Sequence, residues 1–288
     1  MSGGPAIGPR APGALESISD PPVERSGRGR GAPWAWIVLI VGVLYFVVPL
    51  LATFEVSMRA KPFLAAYTNS FEDRRFLASL GYSFMIGLIT VVLSIGLVVP
   101  TAYWVRLRAP RLRPIVEFVT LLPFVIPPVL LVFGLIRAYK GPPLALTRTD
   151  LGSSALLVFA YVVLSLPYMY RAVDAGLRAI DIRTLTEAAH SLGAGWFTII
   201  TRLILPNLRV ALLSGAFLSL AIVVGEYTIA SYLARPAFGP YLQNIGANRA
   251  YEPAAVSLIS FGLTWLAMIA IAVFGRGGRT RVQVAGAR

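Results

Sequence analysis

Residues 171–207 read RAVDAGLRAIDIRTLTEAAHSLGAGWFTIITRLILPN, and they separate two long apolar stretches of the chain. The pattern predicts a helix over residues 184–192, with one face formed by Leu185, Ala188, Ala189 and Leu192. Gly193 and Gly195 interrupt that helix, and a second short helix is predicted over residues 196–205, ending at Pro206. The segment is too polar to cross a bilayer and too regular for a flexible linker. It therefore predicts two amphipathic helices that protrude from one face of a membrane.

The apolar stretches around this segment have the length of membrane spans, since a helix needs about 20 apolar residues to cross the hydrocarbon core. They cover residues 34–54, 80–105, 115–136, 151–170, 208–233 and 254–274. The composition agrees, with 57% hydrophobic residues, 14% charged residues and a mean hydropathy of +0.72. We therefore expect an all-α integral membrane protein with about six transmembrane helices, forming one domain over residues 34–275.

The two ends of the chain differ from this domain in composition. Residues 1–33 are rich in Gly, Pro, Arg and Ser and lack apolar periodicity, which predicts a disordered basic tail. Residues 276–288 form a second, shorter basic tail. The apolar stretch that begins at Trp34 is too long for a signal peptide, so we interpret it as a retained helix.

The distribution of basic residues predicts the orientation in the membrane. Seventeen of the 26 lysines and arginines fall in the two tails, in residues 106–113 and in residues 171–209, which alternation of the spans places on one side. The loops on the other side hold nine. Because basic residues concentrate on the cytoplasmic side, we expect both termini and the 171–207 loop to be cytoplasmic.

The residue inventory argues against several other classes of protein. The basic residues lie between apolar runs rather than on one solvated face, so the net charge of +13 does not indicate nucleic-acid binding. Cysteine is absent and His190 is the only histidine, which leaves no basis for a disulfide framework or a Cys/His metal site. The chain also lacks a G-x-x-x-x-G-K-[ST] phosphate loop. We predict no enzymatic activity, no cofactor and no metal.

Spacing within the cytoplasmic loop resembles a known family signature. Glu187, Ala188 and Ala189 are followed after three residues by Gly193, and after nine more by Leu203, Ile204, Leu205 and Pro206. This pattern resembles the cytoplasmic EAA loop of ABC importer permeases, which usually has isoleucine at the position of Leu203. The resemblance implies the layout of a type I importer permease (MetI-like), as a subunit of a binding-protein-dependent transport system in a bacterial inner membrane.

The same resemblance implies a role and a set of partners. It makes the loop a coupling element for a pair of separate ABC ATPase subunits, with contact residues Glu187, Ala188, Ala189, His190, Gly193, Leu203, Leu205 and Pro206. It also implies a second permease subunit, identical or homologous, and an extracytoplasmic solute-binding protein. ATP hydrolysis would then take place in the partner subunits.

Two apolar stretches contain residues that suggest a translocation path. Pro123, Pro127 and Pro128 predict a kink in the third span, which resembles the corresponding helix of polyamine, ferric iron, phosphonate and thiamine permeases. The fifth holds Glu226 within an apolar helix, with Tyr227 and Ser231 nearby. An intramembrane carboxylate is costly, so these residues are candidates for the path of a cationic cargo. Alternatively, Glu226 forms a hydrogen bond between helices or between permease subunits.

Polyamine import, of spermidine or putrescine, is the substrate hypothesis that these features favour, with ferric iron, an aminophosphonate or thiamine as alternatives. A secondary transporter is a different alternative, in which Glu226 would bind the coupling ion and broken helices would occur in both halves. An intramembrane enzyme lacks suitable residues. Elsewhere, Arg113 and Glu117 predict a helix-surface ion pair. Asp174, Arg178 and Asp181 predict a solvated face.

Overall fold

The computed structural model describes residues 33–276, so the predicted tails, residues 1–33 and 276–288, lie almost entirely outside the described residues. This part of the chain consists of helices and their connections, without a strand. The helices before the 171–207 loop are α1 (Pro33–Met58), α2 (Ala65–Glu72), α3 (Arg74–Leu107), α4 (Arg113–Val125), α5 (Pro128–Tyr139) and α6 (Asp150–Arg178). Those that follow are α7 (Ile182–Ser191), α8 (Trp196–Thr198), a π-helical turn (Ile199–Ile204), α9 (Leu205–Asn207), α10 (Arg209–Gly225), α11 (Thr228–Tyr232), α12 (Phe238–Asn248) and α13 (Glu252–Arg276).

Contacts divide the described residues into two units, residues 33–49 and residues 50–276. The first unit contains the amino-terminal part of α1, in which the rings of Tyr45 and Phe46 pack edge to face with centroids 5.5 Å apart. The second unit contains the remaining helices and all of the candidate site residues.

The number of membrane-crossing helices agrees with the sequence. Four described helices, α1, α3, α6 and α13, are individually long and apolar enough to span a membrane. Two bent helix pairs, Pro110–Val125 with Pro128–Tyr139 and Trp196–Asn207 with Arg209–Gly225, raise the number to six if each pair is one span. The prediction of an all-α membrane protein with about six spans is confirmed.

The third span is broken rather than merely kinked. Helices α4 and α5 meet at an angle of 99°, with Ile126 and Pro127 in extended conformations between them. Pro127 and Pro128 have no N–H, and proline also disfavours helical geometry in the residue before it. The prolines therefore end α4 and begin α5. The predicted kink is confirmed, and in the structure it is a complete break between two helices.

The prediction of one continuous helix over residues 208–233 is wrong. Helix α10 ends at Gly225, Glu226 adopts an extended conformation, and a separate helix, α11, begins at Thr228. With 17 residues, α10 is about 26 Å long, close to the hydrocarbon thickness of about 30 Å. The physical reason for the break is the side chain of Glu226, which binds backbone N–H groups that a continuous helix would use itself.

Helices α3, α6 and α10 form the centre of residues 50–276. Val99 of α3, Met169 of α6 and Leu208, at the start of α10, are fully buried in one cluster beside the 171–207 loop. Tyr161 of α6 and Val223 of α10 belong to a second cluster further along the same helices. Because lipid tails are as apolar as these side chains, close packing holds the three helices together.

Asp73 connects the other end of α3 to α12. Its carboxylate accepts a hydrogen bond from the backbone N–H of Arg75, at 2.9 Å, and so caps the first turn of α3. The hydroxyl of Tyr241 donates to the same carboxylate at 3.1 Å. Burial and this hydrogen bond raise the pKa of Tyr241 to about 12.

Candidate functional site

The amino-terminal end of α7 is fixed by Asp181. The Asp181 carboxylate accepts hydrogen bonds from the hydroxyl of Thr184, at 2.7 Å, and from its backbone N–H, at 3.2 Å. These two bonds lower the pKa of Asp181 below its ordinary value, with the hydroxyl contributing most. Asp181 is thus an N-cap that sets where α7 begins.

The carboxyl-terminal end of α7 is closed by Gly193. This residue has a φ of +79°, in the left-handed region that disfavours residues with a Cβ. Its N–H donates to the carbonyl of His190 at 2.9 Å, and the N–H of Ala194 donates to that of Ala189 at 3.0 Å. The pair of bonds is a Schellman motif, which reverses the chain sharply after the helix. The predicted glycine turn is therefore present with defined geometry.

Helix α7 buries one side against the rest of the protein and exposes the other. Ile182 and Thr186 are buried, whereas Ala188 is exposed and Leu192 is 88% exposed. Thr186 is buried because its hydroxyl accepts a hydrogen bond from the hydroxyl of Tyr103, in α3, at 3.3 Å. Of the predicted face over Leu185, Ala188, Ala189 and Leu192, the structure leaves Leu185 and Ala189 half-buried and exposes Ala188 and Leu192.

The outward face of α7 carries three of the eight predicted contact residues. Glu187, Ala188 and His190 are all exposed. Arg183 lies one turn before Glu187, and the two side chains approach to 3.5 Å while remaining more than two-thirds exposed. Such exposed pairs contribute little to stability, so Glu187 remains available to another group.

The second half of the loop is anchored in the protein core. Ile199 and Ile204, in the π-helical turn, are buried with residues of α3 and α6. Leu203, Leu205 and Pro206 are half-buried, so the structure places them at the base of the loop rather than on its outer surface. The helix continues past Pro206 to Asn207, where an 80° bend leads into α10.

Glu226 lies at the junction of α10 and α11, with its carboxylate fully engaged. Its oxygens accept hydrogen bonds from the hydroxyl of Tyr161, at 2.9 Å, and from the backbone N–H groups of Ile229 and Ala230, at 2.9 and 3.2 Å. The last two are N–H groups of the first turn of α11, which have no partner within the helix. Glu226 therefore caps α11 and attaches it to α6.

The backbone at this junction is held from a second side. A Cβ placed on Gly239 would lie 2.8 Å from the carbonyl carbon of Glu226 and 2.9 Å from the Cα of Tyr227, so only glycine fits there. The N–H of the preceding Phe238 donates to the hydroxyl of Ser83, in α3, at 2.8 Å. The junction is thus built from α3, α6, α10, α11 and α12 together.

Two other predicted path residues, Tyr227 and Ser231, are less engaged. The side chain of Tyr227 is 45% exposed, and that of Ser231 is half-buried. Tyr232, beside Ser231, packs its ring on Phe133 of α5 with centroids 4.9 Å apart. Sequence reasoning missed Tyr161, Ser83 and Gly239, although a tyrosine within an apolar span is a signal that its hydroxyl needs a partner.

Asp174 forms a charge cluster near the base of the loop, contrary to the predicted solvated face. Its carboxylate is only 14% exposed and lies within 4 Å of Arg106, Arg113 and Arg178. These arginines belong to α3, α4 and α6, so the cluster joins three helices. The predicted pair between Arg113 and Glu117 is present at 2.8 Å.

Comparisons with known proteins agree with this architecture. The family model described as "Binding-protein-dependent transport system inner membrane component" matches residues 98–276, more than half of the chain. The molybdenum transport system permease protein ModB of Azotobacter vinelandii is 32% identical over 162 residues, covering 53% of this chain and 70% of that protein. The spermidine/putrescine transport system permease protein PotB of Haemophilus influenzae is 26% identical over 220 residues, covering 69% and 74%.

A solved structure extends the similarity to the fold. One solved structure is that of a bacterial ABC transporter involved in the import of the acidic polysaccharide alginate. A chain of that transporter superposes on this chain with a TM-score of 0.65 at 14% identity, covering 84% of this chain and 95% of that one. Together with the apolar helices, the family match makes this chain a multi-pass membrane protein. The chain therefore belongs to the family of inner-membrane components of binding-protein-dependent transport systems, the permease subunits of ABC importers.

Proposed function

We propose that this chain is the non-catalytic permease subunit of an ATP-driven importer and that residues 181–207 couple it to separate ATPase subunits. The observation that carries the proposal is the construction of α7, which is capped by Asp181, closed by the Gly193 turn, and exposes Glu187, Ala188 and His190. A helix fixed at both ends, with the short side chain of Ala188 exposed between two polar residues, suits docking on a partner.

The packing of the loop supports transmission of movement to the spans. Thr186 of α7 is hydrogen-bonded to Tyr103 at the end of α3, and the turn at 199–204 is buried against α3 and α6. The same segment leads through the bend at Leu208 into α10. A displacement of α7 by an ATPase would therefore act on α3 and α10, the helices that meet at the Glu226 junction.

The proposed assembly contains this permease, a second permease subunit, two ATPase subunits and an extracytoplasmic solute-binding protein. The bias of basic residues supports placing both termini and the 171–207 loop in the cytoplasm. The break of the third span at Pro127 and that of the fifth at Glu226 also match one expectation of the secondary-transporter alternative. Family membership favours the ATP-driven importer over that alternative.

A polyamine remains the substrate hypothesis that the sequence favours, and likeness to a spermidine/putrescine permease supports it. The geometry of Glu226 weakens the argument that this carboxylate binds a cationic cargo, because a carboxylate that caps α11 is not free to bind a cation. An oxyanion such as molybdate is the second candidate. Likeness to a molybdenum permease supports it, as do the loops opposite the 171–207 loop, with nine basic and five acidic residues.

The coupling proposal is tested by substitutions in the glycine turn. Gly193→Ala forces a left-handed conformation on alanine at a cost of about 1–2 kcal/mol, although no atom lies within 4 Å of the new Cβ. Gly195→Ala is the matched control, since Gly195 has a φ of −75° and equally open surroundings. We expect ATPase co-purification and ATP-dependent uptake to fall about ten-fold in Gly193→Ala and to stay at the wild-type level in Gly195→Ala. Gly193→Asn should restore part of both, because asparagine tolerates this conformation.

Equal ATPase binding by the Gly193→Ala and Gly195→Ala variants would refute the coupling proposal. The substrate is tested separately, by measuring ATP-dependent uptake of labelled spermidine and of labelled molybdate into proteoliposomes that contain the complete importer. Uptake of spermidine alone supports the polyamine hypothesis, and uptake of molybdate alone supports the oxyanion.

A further inference from the structure

A groove runs between the last turn of α3 and the exposed side of α7. Its volume is about 500 Å³, and its floor contains the buried pair Tyr103 and Thr186. The remaining lining residues surround this floor and are Trp104, Leu107, Arg108, Arg183, Glu187, His190 and Trp196. The groove therefore combines residues of the coupling loop with residues about 80 positions earlier in the chain.

The groove offers more hydrogen-bond donors than acceptors. Among the described residues, no hydrogen bond or ion pair engages the guanidinium of Arg108, the ring of His190, or the indole N–H of Trp104 or Trp196. Arg183 makes only the exposed pair with Glu187. Glu187 is the one acidic side chain in the lining, so the groove suits a ligand that carries a negative charge and accepts hydrogen bonds.

We propose that the groove binds an acidic side chain of the partner ATPase subunit, with Arg108 as its ionic contact. This inference rests on the proposed function and deepens it, because Arg108 lies in α3's carboxyl-terminal cap and outside the coupling loop. The two half-exposed indole rings would contact the aliphatic stem of the same side chain. Tryptophan and arginine together are typical of the residues that dominate protein interfaces.

Position in the fold favours an ATPase side chain over a lipid phosphate. His190 and Glu187 belong to the face of α7 that the proposed function assigns to the ATPase, and both also line the groove. A partner seated on α7 would therefore cover the groove. A guanidinium beside a carboxylate forms a charge-assisted hydrogen bond, stronger than one between neutral groups.

The test uses the full-length permease, purified in detergent, and measures its affinity for the ATPase subunit at low and high salt. Arg108→Gln should weaken binding about three-fold and Arg108→Glu about ten-fold at low salt. Both differences should shrink at high salt, because salt screens partly exposed charges. Arg111→Glu is the matched control, since Arg111 is exposed nearby but does not line the groove.

A second measurement identifies the partner group. The chain has no cysteine, so Arg108→Cys introduces a unique site for cross-linking. We expect a short cross-linker to join it to an ATPase peptide that contains Asp or Glu. Cross-linking only to lipid, or equal losses of affinity in Arg108→Glu and Arg111→Glu, would overturn the inference.

The outcomes separate this inference from the proposed function. If Gly193→Ala loses ATPase binding while Arg108→Glu keeps wild-type affinity, the groove assignment fails and the coupling proposal stands. If neither substitution changes the affinity, both fail.

Discussion

Replacing Gly239 by alanine should destabilise the junction that interrupts the fifth span. The new Cβ would lie 2.8 Å from the carbonyl carbon of Glu226 and 2.9 Å from the Cα of Tyr227, distances that real Cβ atoms essentially never show. Both neighbours are backbone atoms, so no rotamer change relieves the contact. Overpacking of this kind costs about 1–3 kcal/mol.

Gly246 provides the comparison, because it lies in the same helix, α12, and no atom lies within 4 Å of a Cβ placed on it. Alanine in a helix is favoured over glycine by about 0.5–1 kcal/mol, so Gly246→Ala should be neutral or stabilising. The two variants should therefore differ by about 1.5–4 kcal/mol in the free energy of unfolding.

The assay is thermal unfolding of both purified variants in the same detergent, followed by ATP-dependent uptake in proteoliposomes. We expect Gly239→Ala to unfold at a lower temperature and to transport more slowly, since the position of α11 depends on this contact. Identical unfolding temperatures for the two variants would refute the close approach of α12 to Glu226.

Three further predictions concern other contacts. Tyr161→Phe should lower the free energy of unfolding by about 1.5–3 kcal/mol, because it removes the hydrogen bond to Glu226. In a double-mutant cycle, Glu226→Gln should destabilise the Tyr161→Phe protein less than it destabilises the wild type. Additive losses of stability would contradict the hydrogen bond between Tyr161 and Glu226. Asp174→Asn should lower stability by about 1–3 kcal/mol in thermal unfolding and leave Arg106, Arg113 and Arg178 without their shared partner. The depressed pKa of Asp181 means that its capping of α7 persists above its ordinary pKa and is lost as the pH falls through the lower folded value. Hydrogen exchange at the Thr184 amide should accordingly stay constant from pH 7 to 5 after correction for the intrinsic rate, whereas a rise in that range would contradict the cap.

Features that depend on one residue's backbone could be predicted from the sequence. Pro127 and Pro128 lack the N–H that a helix needs, so the interruption of the third span follows from their identity. Gly193 follows a helical pattern and precedes another, which favours a left-handed turn, and its φ of +79° agrees. Span number follows from hydropathy in the same way, because lipid demands long apolar helices.

Features that depend on a distant partner could not be predicted. Glu226 looks like a charge within a helix until Tyr161, 65 residues earlier, is placed beside it. Thr186 is a polar residue on the buried side of α7, and only the hydroxyl of Tyr103, 83 residues earlier, explains why. Asp174 was expected in solvent because the arginines of α3 and α4 that surround it are remote in sequence.

The aromatic contact between Phe133 and Tyr232 joins the two interrupted spans to each other. Phe133 belongs to α5, after the break in the third span, and Tyr232 belongs to α11, after the break in the fifth. Separating packed rings whose centroids lie 4.9 Å apart has a cost, so a displacement of α5 would be passed on to α11. The contact thus couples the segment after one break to the segment after the other.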